Sequence, residues 1–437
     1  MKTESPTVYD VLGIGFGPSN LALAIAIEEQ SQASVCVPLH ALFFEKQERF
    51  GWHRGMLIEG TTMQVCFLKD LAMLRNPTSP FTFLSYLHDK NRLVDFVNHK
   101  ILFSSRVEFH DYLEWAAAKL KRLVQYDAEV VEVSPVICDG VVKWLDVVVQ
   151  RDGNPSHHEI YRTHNLVIAP GLEPTMPPGI SRSERVWHSS EVLDRIAHLT
   201  EEPQQFTVVG AGQSAAEITA YLHDHFKYAK VRSIFSRYGY SAADDSPFTN
   251  RIFDPLAVDE YYQARDDVKK MLLNFHRNTN YSVVDADLLE DLYRRHYQEM
   301  VRGESRLEFM NVSKVFGAVA DRDSVDLSVE FLPTGDMRKL RSDIVVFGSG
   351  YKIADPIRYF SDFAGKCIRD SFGQLRVARN YRICTSEDVE CGIYLQGTTE
   401  HTHGLSSTLL SNTAVRAGEI LEAMTWERDN KKISSHA

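Results

Sequence analysis

At 437 residues the chain is long enough for two or three domains with large buried cores, and its 44% hydrophobic and 24% charged content is that of an ordinary soluble globular protein. A formal net charge of −11 argues against nucleic acid as the main partner, which needs a basic surface, and no apolar run approaches the ~20 residues of a membrane span. The start, Met1-Lys2-Thr3-Glu4-Ser5-Pro6-Thr7, carries no leader pattern, and six scattered cysteines (Cys36, Cys66, Cys138, Cys367, Cys384, Cys391) without CxxC or metal-ligand spacing read as structural thiols of a reducing cytoplasm, with no metal site.

Tyr9-Asp10-Val11-Leu12-Gly13-Ile14-Gly15-Phe16-Gly17-Pro18-Ser19-Asn20-Leu21 reads as an apolar strand, a glycine turn and a helix. Gly13 and Gly15 leave no Cβ where the backbone must bend and approach a pyrophosphate, and the helix behind them offers free N–H groups and a positive dipole end. Pro18, after Gly17, stands where a third glycine is usual. A second apolar strand (Ala41, Leu42, Phe43, Phe44) ends at Glu45, placed to accept hydrogen bonds from ribose hydroxyls.

Beyond Trp52-His53-Arg54-Gly55-Met56, the segment Met63-Gln64-Val65-Cys66-Phe67-Leu68-Lys69-Asp70-Leu71 is apolar except for Gln64, Lys69 and Asp70. By itself, Lys69-Asp70 reads as a surface ion pair on a half-buried element. A turn at 75–80 precedes aromatic-rich helices expected at 81–89 and 108–120, and alternating strands between 128 and 159 predict a small antiparallel meander. A buried strand then closes on Pro170-Gly171, and Pro174, Pro177 and Pro178 read as a linker.

Phe206-Thr207-Val208-Val209-Gly210-Ala211-Gly212-Gln213-Ser214-Ala215 is a second strand–turn–helix with the GxGxxA spacing. Two such turns imply two nucleotide sites, the first typical of FAD and the second of a nicotinamide cofactor. The following strand ends at Ser236-Arg237. A cation there suits a 2′-phosphate and therefore NADPH; the alternative is a solvated surface arginine. A loop through Asp244-Asp245-Ser246-Pro247-Phe248-Thr249-Asn250 leads into helical sequence, which breaks at Asn278-Thr279-Asn280-Tyr281-Ser282 and resumes at 286–300. Strands at 343–347 and 392–397 and a helix at 408–425 complete the reading.

These motifs, with Glu400-His401-Thr402-His403-Gly404-Leu405-Ser406-Ser407, resemble the flavin-dependent N-hydroxylating monooxygenases, and best of all the L-ornithine N5-monooxygenases of siderophore biosynthesis. The resemblance spans nearly the whole chain. It implies an α/β chain of two Rossmann-like domains, a discontinuous FAD-binding domain over 1–202 and 342–437 and an NADPH-binding domain over 203–341, with an inserted helical substrate-binding segment at about 243–300. It implies cofactor contacts from Gly13, Gly15, Gly17, Pro18, Glu45, Trp52, His53, Gln64, Gly210, Gly212, Gln213, Ser214, Arg237, Gly404, Leu405 and Ser406. Substrate contacts fall to Lys69, Asn250, Asn280, Leu405 and Ser407, and catalytic roles to Gln64, Lys69 and Asn280. The implied reaction runs through a C4a-hydroperoxyflavin that oxygenates a terminal primary amine. The partners are then that amine and O2 in a cytoplasmic homo-oligomer, dimer or tetramer.

The implied substrate contacts are amides, a hydroxyl and one lysine, with no acid to hold the amine protonated. His53, His401 and His403 read as structural or hydrogen-bonding rather than catalytic. One departure is that the family's alanine-threonine-glycine-tyrosine motif reads Gly348-Ser349-Gly350-Tyr351. Another is that the NADPH-side arginine is shifted by about one position at Arg237. A flavin disulfide reductase would need a redox cysteine pair near the first helix, which is missing, and a Baeyer–Villiger or hypotaurine-type monooxygenase, which would share the cofactors, is disfavoured by the Lys69, Asn250 and Asn280 set. A non-enzymatic nucleotide sensor would not consume NADPH. Within the family, L-ornithine competes with a diamine such as putrescine or cadaverine. Lys69 facing the far end of the substrate favours ornithine, whose carboxylate it attracts.

Overall fold

The computed structural model describes residues 7–33 and 37–434; the first six residues, read above for a leader, and Cys36 lie outside the described residues. Strand Val8–Ile14 forms the centre of a seven-stranded sheet, parallel to Ala41–Phe44 on one side and to His158–Ile168 on the other. The expected meander is present as Ala128–Cys138, Val141–Arg151 and His158–Ile168, but it is not a separate unit. The last strand pairs antiparallel over its first half and continues into the parallel sheet, where Gly392–Leu395 joins it at Asn165–Ile168. Its burial follows that division: the first half alternates with solvent, and the last three residues are fully buried.

Helix Pro18–Gln32 buries Pro18 and every residue from Asn20 to Ile27. A helix apolar all round needs cover on all sides, and it lies between the sheet and the final helix Thr413–Ser434. That final helix begins five residues later than the sequence predicts, because Leu405–Thr408 and Leu410–Asn412 are 3-10 turns. Helix Arg106–Lys119 starts two residues early instead. The Ser105 hydroxyl accepts the Glu108 N–H and fixes its first turn.

The second sheet is wholly parallel, in the order Leu307–Met310, Lys230–Ile234, Gln205–Val209, Ile344–Phe347, Val186–His188. Boundaries at 202 and 342 therefore cut this sheet. Val186–His188 comes from before the first boundary and Ile344–Phe347 from after the second, and their pairing assigns both to the second domain. The proline-rich linker is also more ordered than expected. Leu172–Pro174 pairs antiparallel with Tyr351–Ile353, so the two crossings between domains form one ribbon. A three-stranded antiparallel sheet (Ser313–Ala320, Val325–Phe331, Asp336–Ser342), not foreseen from the sequence, packs beside the second sheet. The inserted segment is helical, as Pro255–Gln263, Asp266–His276 and Ala286–Arg302.

Candidate active site

The first glycine turn lies at the carboxyl ends of Val8–Ile14, His158–Ile168 and Gly392–Leu395, where open parallel sheets bind ligands. Gly15 has φ +80, and a Cβ there would stand 2.5 Å from the Ala169 carbonyl oxygen, so only glycine fits. Gly17 precedes helix Pro18–Gln32 without a side-chain cap and Pro18 fills its first position, leaving first-turn N–H groups for an anion. Glu45, 7% exposed, accepts the N–H of Phe16 at 2.8 Å and of Gln47 at 3.0 Å.

Behind the turn, Asn20 bonds the Gly15 carbonyl at 2.7 Å and accepts from Gln396 at 2.9 Å. Arg416, 2% exposed, bonds Gln396, Ser19 and the Ser407 carbonyl. The segment after Gly392–Leu395 buries the hydroxyls of Thr398, Thr399 and Ser407 and both amide atoms of Asn412 without a partner. Orphaned donors and acceptors beside an anion-ready helix fit a dinucleotide carrying a polar heterocycle, as FAD does. His53 adopts φ 50 beside Trp52 and meets the Tyr351 ring edge-on at 5.8 Å.

At the second turn Gly210 has φ +143, and a Cβ would meet the Gly348 carbonyl at 2.6 Å. Gly348 itself leaves room for Ala215, whose Cβ would stand 2.8 Å from one added there. Gly212 precedes helix Gln213–His225 without a side-chain cap, so this end too is open to a phosphate, with Ser214 in its first turn. The Gln213 side chain, expected at the cofactor, is committed elsewhere. It bonds Glu217 at 2.9 Å and Asp285 at 2.8 Å, leaving its backbone N–H for a ligand. Arg237 is exposed beyond strand Lys230–Ile234, with one guanidinium nitrogen on the Ser282 carbonyl at 3.0 Å.

A polar ladder joins the two domains here. Arg106 grips Glu217 with two bonds of 2.7 and 2.8 Å, Glu217 takes Gln213, and Asp285 takes both Gln213 and Gln64, the latter at 2.9 Å. Sequence reasoning missed Asp285, Arg106 and Glu217; apart from Glu217 lying in the second glycine motif, no local signal marks them.

The structure does not join Lys69 to Asp70. Asp70 is 3% exposed and accepts the N–H groups of Ala72, Met73 and Phe83 at 2.6–2.8 Å. Its burial raises its pKa against the pull of those bonds. Lys69, half-buried, has no carboxylate partner among the described residues, and its Nζ lies 5.6 Å from the centre of the Phe253 ring. Phe253 ends the turn Thr249–Phe253 that carries Asn250, whose amide donates to the Asp245 carbonyl at 2.7 Å.

A bridge between Ala242 and Val284 holds the Asn250 loop against the segment of Asn280, whose side chain makes no hydrogen bond among the described residues. Turn Thr249–Phe253 packs on Leu405–Thr408, and the Tyr281 hydroxyl donates to Glu400. These contacts link the segments of Lys69, Asn250 and Leu405–Ser407 through the turn that ends at Phe253, and tie the Asn280 segment to the loop that leads to Asn250. Ser406 and Gly404 belong to the same buried turn, Gly404 against the Tyr261 ring. Two acids lie near these segments: Glu400, which accepts from the Tyr281 hydroxyl, and Asp285, which holds Gln64.

The histidines here are engaged with their neighbours. His403, 1% exposed, stacks on Tyr381 at 4.2 Å and bonds the Arg379 carbonyl. Burial lowers its pKa to about 3, and burial followed by the Arg106 charge lowers that of His53 to about 4. His401 bonds the Leu375 carbonyl at 2.8 Å. Among the described residues no cluster of His, Cys, Asp or Glu could hold a metal ion, and no helix is long and apolar enough to cross a membrane.

The chain is similar to known proteins along nearly its full length. The sequence model of the L-lysine 6-monooxygenase/L-ornithine 5-monooxygenase family matches residues 7–353. An L-ornithine N(5)-monooxygenase of Pseudomonas aeruginosa is 36% identical over 96% of this chain and 94% of its own length. The ornithine N-hydroxylase KtzI of Kutzneria sp. 744, solved with reduced FAD, NADP+ and L-ornithine, is 44% identical with a TM-score of 0.92, covering 97% of this chain and 100% of that one. The ornithine hydroxylase PvdA of Pseudomonas aeruginosa is 35% identical with a TM-score of 0.89, covering 96% and 100%.

Proposed function

Since the chain belongs to the L-lysine 6-monooxygenase/L-ornithine 5-monooxygenase family, we propose that it is an FAD- and NADPH-dependent monooxygenase that hydroxylates the side-chain nitrogen of L-ornithine for a hydroxamate siderophore. The balance is R–NH2 + O2 + NADPH + H+ giving R–NHOH + H2O + NADP+. When bound, FAD supplies the two-electron chemistry that splits O2 between the amine and water. FAD would be held by the turn at Gly13, Gly15 and Gly17, by Pro18 and Glu45, and by the segment of Gly404, Leu405 and Ser406. NADPH would be held by Gly210, Gly212, the Gln213 N–H and Ser214, with Arg237 at the 2′-phosphate.

The residues have two tasks toward the substrate. One is to hold its far end, which in ornithine carries a carboxylate and an α-ammonium. The observation that carries the reading is Lys69, half-buried and not paired with Asp70, with its Nζ beside Phe253 of the turn that carries Asn250. The other is to present a free amine. With a pKa near 10.4, deprotonating the substrate at pH ~8 costs about 3 kcal/mol, which desolvation of the bound amine would offset.

The homo-oligomer, dimer or tetramer, and the cytoplasmic location implied by the resemblance belong to the same proposal. Exposed Met271 and Phe275 on helix Asp266–His276, which buries no residue, support association. The test is a hydroxylamine-product assay with L-ornithine, L-lysine, putrescine and cadaverine. Ornithine should dominate. Putrescine or cadaverine turnover above ornithine would establish a diamine monooxygenase instead.

A further inference from the structure

Asp285 stands at the cap position of helix Ala286–Arg302, yet its side chain makes no bond to that helix, although aspartate is among the best caps. Its two oxygens reach elsewhere instead, one across the domain interface and the other within its own domain. One accepts from Gln64 Nε2 at 2.9 Å and the other from Gln213 Nε2 at 2.8 Å. A carboxylate can only accept, so both amides must turn their NH2 groups toward it. Gln213 is pinned twice more, by the Asp285 N–H on its Oε1 at 2.8 Å and by Glu217 at 2.9 Å. Gln64 is exposed and held by Asp285 alone among the described residues, which leaves its carbonyl oxygen as the end without a protein partner.

We propose that Asp285 is a positioning residue for Gln64: by holding the Gln64 NH2 it presents the Gln64 carbonyl oxygen to the cleft between the two dinucleotide turns, and through Gln213 it ties that oxygen to the Gly210-Ala211-Gly212 turn. Gln64 then receives an N–H donor, the hydrogen-bonding class of a nicotinamide carboxamide, and rejects an acceptor. The inference rests on the FAD and NADPH reading of the cleft, though not on the choice of ornithine. It also gives the pairing a reason to span 221 positions of sequence, since one residue from each domain must be in place before the oxygen is aimed.

The experiment titrates NADP+ into the oxidised FAD-loaded protein, without amine or turnover, for four proteins: wild type, Asp285→Asn, Gln64→Glu and the double variant. Asp285→Asn keeps the cap preference of the position but can accept from only one amide in the old geometry, and its Kd should rise about tenfold. Gln64→Glu sets carboxylate against carboxylate and should weaken binding at least as much. The double variant restores one donor–acceptor pair with its polarity reversed, again leaves an oxygen for the cofactor, and keeps an oxygen for Gln213. Its Kd should return to within about threefold of wild type, a rescue that a merely structural role does not produce.

Bound FAD and Tm should be alike in all four, and peroxide released per NADPH with ornithine should follow the order of Kd. Wild-type Kd in Asp285→Asn, or a double variant as weak as the product of the singles, would overturn the proposal. A wild type that fails to bind NADP+ at all would overturn the reading of the cleft, and absence of hydroxylated ornithine would overturn only the substrate.

Discussion

Removing the Lys69 charge tests the substrate end of the site. A substrate carboxylate ~4 Å from Nζ in a medium of effective dielectric ~20 gains about 4 kcal/mol. Lys69 is only half-buried, so screening brings this to about 2–3 kcal/mol, or roughly 30- to 150-fold in affinity. Asp70 will not absorb the difference, because three backbone N–H groups already occupy it. Lys69→Ala should therefore lower kcat/KM for L-ornithine by about 50-fold, chiefly through KM, since this contact is made equally in the ground and transition states.

Lys69→Met, which keeps the stem against Phe253, should behave like the alanine variant, and Lys69→Arg should recover much of the loss. Putrescine brings a cation to the same end, so its kcat/KM should hold or rise in both neutral variants. The assay is initial-rate product formation for both amines in the four proteins. Equal losses for ornithine and putrescine would refute the reasoning, because packing rather than charge would then be the role of Lys69.

Two further outcomes follow from the geometry. His403 and His53, with folded pKa values of about 3 and about 4 against 6.5 unfolded, are neutral in the fold and gain a proton on unfolding below pH ~6.5. Their contribution is fully present above that pH and falls by about 1.4 kcal/mol per unit for each histidine as pH drops toward 4. Urea unfolding at pH 7.5, 6 and 5 should show that slope, and His403→Asn should remove about half of it. Arg237→Ala should lower the preference for NADPH over NADH by about tenfold or more, leaving NADH kinetics unchanged; an unaltered preference would return Arg237 to an ordinary surface side chain.

The parts of this molecule legible in the sequence are those specified within a dozen residues. Both glycine turns are of this kind: strand, Gly15 or Gly210, and helix are consecutive, and the chemistry that demands a missing Cβ is local. Elements whose meaning depends on distant pairing were read less well. Strand His158–Ile168 pairs with three strands, two parallel and one antiparallel, which its own residues do not announce. Ile344–Phe347 looks like the start of the last domain segment but hydrogen-bonds to Gln205–Val209. Lys69 and Asp70 misled for the opposite reason. Neighbours of opposite charge suggest a pair, but the turn at 66–73 folds Asp70 inward onto backbone N–H groups and leaves Lys69 outside.

The electrostatics around two acids, Asp285 and Glu400, fit the proposed chemistry. An amine attacks only as the free base, and an unpaired carboxylate nearby would hold it as an ammonium. Asp285 holds Gln64 and Glu400 holds Tyr281, yet neither is presented bare. Asp285 is taken by two amide NH2 groups and Glu400 by the Tyr281 hydroxyl, all neutral donors. Neutral partners reduce what each carboxylate can offer to a cation without bringing in a proton that titrates near neutrality. The same preference shows in the buried His403, held uncharged, and in Arg416, a fully buried cation surrounded by neutral acceptors at Gln396, Ser19 and Ser407. Under the proposed function, Lys69 at the far end and shielded acids elsewhere would disfavour an ammonium at the reacting end while still attracting a carboxylate at the other. An amino acid meets both conditions with its two ends, and a diamine meets only one.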